Sequence, residues 1–284
     1  MSVTIRPACI EDIPAICTML HEHMNAKFSV ERWRGMFKPG WNAVPKEIGL
    51  VVEDAGRIVG FHGHICSHRM IGGKRERFVN FSSWYLCREY RGQGLGSTMV
   101  RTAIQTPNTT YTVFSLSPKR VDMFRGLGLE LLEEERLLWR KRGGHDLTLF
   151  TDTDVIQYRV WPEQQRILLD NLPYGIKACL VSIMCEECLV LYRESVKQGG
   201  RTYFDVLYRS NPRLFTETAQ DLANALLPDE DAVLAADKRF VLGPGLDATV
   251  ERIASPRFYR SETVAREDVD LLYSELQLLD LKLD

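Results

Sequence analysis

Apolar and polar positions alternate through long stretches of this chain, and helical stripes break the alternation at intervals. Residues 5–13 read as a short strand, a turn and a helix start, with Asp12 as a candidate N-cap and Pro14 in the first turn. Ile13, Ile16, Cys17 and Leu20 then recur at helical spacing. The stretch 28–45 is irregular and aromatic, with Trp33, Phe37 and Trp41, the composition of a packed loop, a substrate lid or an acceptor wall. Strands follow at 49–53 and 57–66, joined by the turn residues Asp54-Ala55-Gly56. Gly72-Gly73 turns the chain into a long strand at 77–87, rich in Phe, Val, Trp and Tyr. A helical stripe at 95, 99, 100, 103 and 104 is stopped by Pro107. Residues 111–116 read as a strand, 119–125 as a short helix and 129–139 as a strand. This succession is α/β with a mixed sheet.

The second half echoes the first at an offset of about 120–127 residues. Residues 176–192 are strand-rich, and Gly199-Gly200 turns into a strand at 202–208. A helix at 214–227 and a strand at 231–236 follow. The chain has 284 residues, and domains run to ~100–200 residues, so two similar domains in tandem are expected, 1–142 and 143–284, linked near Gly143-Gly144. The tail 268–281 has apolar residues near helical spacing and reads as a segment that docks on the body.

Composition narrows the class. Hydrophobic residues make up 45% and charged residues 26%, enough to build a core. The formal net charge is -2, and the basic cluster Arg140-Lys141-Arg142 sits close to the acidic run Glu133-Glu134-Glu135. No nucleic-acid face is expected from this pattern. The N-terminus has no apolar signal region, and no apolar run reaches the ~18–20 residues of a membrane helix. Seven scattered cysteines suggest reduced thiols, hence a cytoplasmic protein.

The chemistry concentrates in Arg91-Gly92-Gln93-Gly94-Leu95-Gly96-Ser97, where a strand ends and a helix begins. Glycine admits a ligand close to backbone N–H groups. The helix start adds unpaired donors and the positive end of the dipole. Together they form a pyrophosphate cradle. A Walker A loop is excluded, since no lysine precedes Ser97. A dinucleotide fingerprint is excluded, since its third glycine would fall on Met99. The pattern that fits is Arg/Gln-x-x-Gly-x-Gly/Ala, as Arg91, Gly94 and Gly96.

In this strand-loop-helix setting the motif resembles the GNAT superfamily of N-acetyltransferases. Ile5-Arg6-Pro7-Ala8 with Glu11-Asp12-Ile13 is similar to the family's opening, and 123–130 to its late helix-turn-strand. The resemblance covers about residues 3–141. It implies an acyl-CoA N-acyltransferase fold with acetyl-CoA or another acyl-CoA as cosubstrate and no metal. It implies that the Leu86 backbone pairs with the pantetheine arm. Arg91, Gly92, Gln93, Gly94, Leu95, Gly96 and Ser97 would surround the pyrophosphate, and Phe124 would contact the arm. A small-molecule acceptor amine would attack the thioester directly, held in line by the enzyme.

The proton chemistry is open. The family's leaving-group tyrosine falls on Phe124, which has no proton to give; Tyr85, Ser115 or Ser117 could replace it. His62, His64, Cys66 and His68 share one strand face if the strand extends that far, which makes His64 a candidate base; Glu89 is another. A chain without a working acid would bind acyl-CoA without turnover, as a regulatory or assembly protein. Cys185-Glu186-Glu187-Cys188 is a lone pair inside a strand-like run and reads as buried thiols. In the second half Asn211-Pro212-Arg213 stands where the glycine loop would be, and proline removes an N–H that a cradle needs. That half is expected to cover the first sheet, shape the acceptor site or form a homodimer.

Overall fold

The computed structural model describes residues 3–41, 47–197, 199–243 and 247–283. The chain runs β1 (Thr4–Pro7), α1 (Ile13–Met19), α2 (Val30–Gly35), β2 (Gly49–Asp54), β3 (Arg57–Ile71), β4 (Lys74–Leu86), α3 (Leu95–Ala103), β5 (Thr109–Val113) and α4 (Val121–Gly126). It continues with β6 (Glu130–Arg140), β7 (Thr148–Phe150), α5 (Thr153–Arg159), α6 (Pro162–Asn171), β8 (Lys177–Ile183), β9 (Glu186–Val196), β10 (Thr202–Arg209), α7 (Pro212–Leu226), β11 (Val233–Asp237), β12 (Thr249–Arg260) and α8 (Glu275–Leu278).

The elements expected in the first half are present. The β3–β4 hairpin is longer than the alternation suggested. Gly72 and Gly73 sit at φ +57° and +77°, the left-handed pair that a tight two-residue hairpin turn requires. Asp12 begins α1 but does not cap it with its side chain. Its carboxylate is held instead by Arg6 at 2.6 and 2.9 Å and by the Cys9 N–H at 2.9 Å. The aromatic stretch 28–45 contains α2, capped by Ser29, whose Oγ accepts from Arg32 N–H. Trp33, Phe37 and Trp41 are buried there; Pro45 lies outside the described residues.

Two compact units result, and they are not the contiguous halves 1–142 and 143–284. The first comprises 1–132, 256–265 and 273–281; the second comprises 133–255, 266–272 and 282–284. The reason is the C-terminal segment. Phe258, Tyr259 and Arg260 of β12 pair antiparallel with Val113, Thr112 and Tyr111 of β5. The end of the chain thus completes the first unit's sheet, ordered β1-β2-β3-β4-β5-β12. Only the β4–β5 pair is parallel among the registers of this sheet.

The second unit repeats the topology. Its sheet runs β7-β8-β9-β10-β11-β6, with β10 parallel to β11 and β6 antiparallel to β11. β7 through β11 therefore echo β1 through β5. The tail expected to be helical over 268–281 forms a single turn, α8. Among the described residues no helix is long and apolar enough to cross a membrane. All seven cysteines are unpaired.

Candidate functional site

β4 pairs with β5 only from Arg77↔Thr109 to Asn80↔Thr112. Beyond Asn80 it keeps its other partner, with Phe81↔His64, Ser82↔Gly63, Tyr85↔Phe61 and Leu86↔Gly60. The β4 edge from Phe81 to Leu86 therefore parts from β5, and a fork opens between the two strands. An extra residue on β4 marks the fork, with Ser83 at φ +50°, a conformation costly for a side chain with a Cβ. The Ser82 and Ser83 hydroxyls both turn to Met36 Sδ, at 3.3 and 3.4 Å.

At the mouth of the fork β4 ends at Leu86 and a short turn leads into the glycine loop. Gly92 and Gly94 lie at φ +80° and +76°, with nothing within 4 Å of where a Cβ would stand. These glycines serve backbone shape and open space. Gly96 meets a different requirement: its Cβ would stand 2.8 Å from Trp84 Cζ2, so α3 seats on that indole. Residues 91–94 are exposed and 95–97 half-exposed. The first-turn N–H groups of α3 have no partner within the helix, and the dipole adds positive charge there. Arg91 folds back, its Nε donating to the Leu86 carbonyl at 2.8 Å and its guanidinium lying 5.2 Å from the Tyr85 ring centre.

His64 and Tyr85, the residues expected to handle protons, lie on opposite faces of the sheet. Tyr85 shares its face with Phe61 and stacks on His23 at 6.4 Å. His64 lies beside Phe81 on the other face. There His62 Nδ1 meets His64 Nε2 at 3.0 Å, His64 Nδ1 meets Glu47 at 3.0 Å, and Arg77 donates to Glu47 at 2.6 Å. The His64 and Arg77 hydrogen bonds hold the Glu47 carboxyl below its usual range. β3 does continue far enough to put His62, His64, Cys66 and His68 on one face. Exposure rises along it, from a fully buried His62 to an exposed His68. Burial, with His64 adding to it, drives the His62 imidazole well below its ordinary range. Its NMR ring-proton shifts are expected to stay flat between pH 8 and pH 5. A midpoint near 6.5 would mean that the ring reaches water.

Phe124, expected along the arm, is buried edge-on to Trp84 at 5.7 Å, with Arg120 over that indole at 4.9 Å. Glu89 is exposed and paired with Arg57 at 3.1 Å, as a solvated loop residue would be. Cys188 is buried and Cys185 exposed at a turn.

One residue at the fork escaped the sequence reading. Glu275 begins α8, and its N–H donates to Asn80 Oδ1 at 3.1 Å, on the last residue of β4 that pairs with β5. Its Oε1 accepts from the Ser115 hydroxyl at 2.8 Å. The side chain is 1% exposed and its Oε2 has no hydrogen-bond partner. Burial pushes its carboxyl up to about 7, against the pull of Ser115, the Phe114 backbone and Asn80. The tail is anchored just before it: Arg69 lies 3.9 Å from the Tyr273 ring centre, Trp41 packs edge-on to that ring at 5.0 Å, and Ser274 and Gln277 form a capping box.

Residues 17–115 match the family model for the acetyltransferase (GNAT) family. No curated protein matches the sequence. Among solved structures, a GCN5-related N-acetyltransferase from Kribbella flavida superposes at a TM-score of 0.59 and 16% identity, over 92% of this chain and 71% of its own. A GCN5-related N-acetyltransferase from Anabaena variabilis does so at 0.55 and 12%, over 93% and 74%. A conserved protein from Enterococcus faecalis gives 0.59 and 12%, over 92% and 73%. At these identities the likeness is one of fold, and it extends over most of the chain. Residues 17–115 thus carry the likeness to the acetyltransferase (GNAT) family, and the mixed sheet they help to build shares the fold of these solved structures.

Proposed function

We propose that the protein transfers an acetyl or other short acyl group from CoA to an amine of a small-molecule acceptor. The observation that carries this reading is the fork between β4 and β5 with the glycine loop at its mouth. Arg91, Gly92, Gln93, Gly94, Leu95, Gly96 and Ser97 would receive the pyrophosphate on backbone N–H groups at the start of α3. The arm would run along the unpaired β4 edge and displace Arg91 from the Leu86 carbonyl. Phe124 would act through Trp84, bracing the wall of the fork. The acceptor amine would attack the thioester carbonyl directly, with no covalent enzyme intermediate.

Tyr85 lies beside Leu86, at the loop end of β4, and its contact with Arg91 supports a role in ordering the loop. His64 is engaged at both ring nitrogens on the opposite face, which supports a structural role. In the second unit Asn211 caps α7 and Pro212 opens it, so the cradle's donors are fewer. There Leu271 N–H donates to Leu207 O at 2.9 Å, just past the point where β10 leaves β11. We therefore assign CoA to the first unit alone and read the second as a degenerate copy. A binding protein without turnover is the second reading, and the buried Phe124, with no proton to give, favours it.

Calorimetric titration with acetyl-CoA and thiol release in the presence of primary amines test both. Saturable binding with thiol release is expected. Binding without release would favour the second reading, and no binding at millimolar acetyl-CoA would remove both.

A further inference from the structure

If the acyl arm enters this fork, something at its closed end must take the proton from the attacking amine. That end lies at Asn80. Leu86 and Asn80 are about 20 Å apart at the rise of a β-strand, the scale of an extended pantetheine arm. Tyr85 sits at the wrong end for this task and His64 on the other face. Glu275 sits at the closed end itself, fixed through its backbone to Asn80 and through Oε1 to Ser115.

We infer that Glu275, delivered to the fork by the C-terminal tail, is the catalytic base that accepts the proton of the attacking amine. This rests on the acyl-CoA reading given above. In the step the amine nitrogen bonds to the thioester carbonyl carbon, the carbon–sulfur bond breaks, and its electron pair leaves with sulfur. The amine proton passes to Oε2, the oxygen that has no partner at rest. The CoA thiolate takes up a proton as it departs, and Glu275 returns its own to solvent after release. Ser115 acts as a positioning residue, holding Oε1 so that Oε2 faces the reaction. The hydrogen bonds that pull against burial come from the Ser115 hydroxyl, the Glu275 and Phe114 backbone and the Asn80 side chain, all uncharged. Raised by burial, the carboxyl titrates near the operating pH, where a general base is most effective.

The first test needs no acceptor. Acetyl-CoA is titrated into wild type and Glu275→Gln at pH 7 in phosphate and in Tris, whose ionisation enthalpies differ. The difference between the buffers gives the protons exchanged on binding. A thioester arriving beside a half-ionised carboxyl shifts its titration. Wild type should then exchange a measurable fraction of a proton that Glu275→Gln does not, at similar affinity. Equal exchange in the two proteins would place the thioester away from Glu275 and overturn the proposal. Failure of wild type to bind acetyl-CoA is a separate result, and would remove the cosubstrate and the base together.

The second test reads thiol release with primary amines. Glu275→Gln is expected to lower kcat by about 10²–10⁴-fold with little change in KM for acetyl-CoA. Glu275→Asp should recover part of the loss, and Ser115→Ala should displace the pH profile. Unchanged turnover in Glu275→Gln would overturn the role of base. So would a wild type that binds acetyl-CoA yet releases no thiol, since there would then be no reaction to serve.

Discussion

Glu275→Gln should make the protein more stable at pH 8 and leave its stability nearly unchanged at pH 4.5. Burial makes a carboxyl resist ionisation, and Glu275 is raised from 4.5 to about 7. Below about 4.5 the group carries its proton in both folded and unfolded chains, so pH does not act through it. Between 4.5 and 7 the unfolded chain gives up the proton while the folded chain keeps it. The unfolded state is favoured increasingly as pH rises through this window. Above 7 the folded carboxyl ionises too and the penalty levels off. At 1.36 kcal/mol per unit, the full penalty is roughly 3 kcal/mol, a large share of a typical domain's stability. Glutamine has nearly the same shape, keeps an acceptor for the Ser115 hydroxyl and cannot ionise, so it escapes the penalty. Urea unfolding of both proteins across pH 4.5 to 8 measures it. A difference independent of pH would mean that the folded carboxyl ionises in the ordinary range. Gained stability with lost turnover would mark a group that serves reaction at the expense of folding.

The glycine loop and most of the first sheet were legible because local chemistry dictates them. Gly72-Gly73 demands a hairpin, and Gly92 and Gly94 take backbone angles that other residues adopt only at a cost. The period-two placement of His62 and His64 held because β3 runs unbroken past them. Their chemistry was not legible, since a strand's alternation says which residues share a face and not which helices cover it. Glu275 was hidden for a different reason. In Leu271-Leu272-Tyr273-Ser274-Glu275-Leu276 a lone glutamate reads as the polar side of a docking helix. The structure makes only one turn there and buries the glutamate. The capping pair Ser274 and Gln277 was the available signal for where that turn begins. The return of the chain into the first unit was concealed by Pro256. A proline inside β12 argues against a strand, yet the residues that pair with β5 are Phe258 to Arg260, just beyond it.

Gly94→Trp should abolish acetyl-CoA binding while the protein stays folded. Gly94 stands at φ +76°, so any side chain carries the cost of the left-handed region, about 1–2 kcal/mol. That cost is small because a Cβ there meets nothing within 4 Å. The indole would stand in open space at the start of α3, over the N–H groups proposed to hold the pyrophosphate. Those donors act only at hydrogen-bond distance, so a ring in their path removes the interaction outright. A fall in affinity of at least about 100-fold is expected, a loss of about 2.7 kcal/mol. Gly94→Ala carries the same backbone cost with far less bulk and should bind more tightly than the tryptophan variant. Gly96→Ala is the contrasting case. Its methyl group would press on Trp84 at 2.8 Å, so its first effect should be on stability. Calorimetric titration with acetyl-CoA, beside urea unfolding of each variant, separates the two glycines. If a folded Gly94→Trp binds acetyl-CoA as wild type does, the phosphates lie elsewhere and the glycine loop is only a turn.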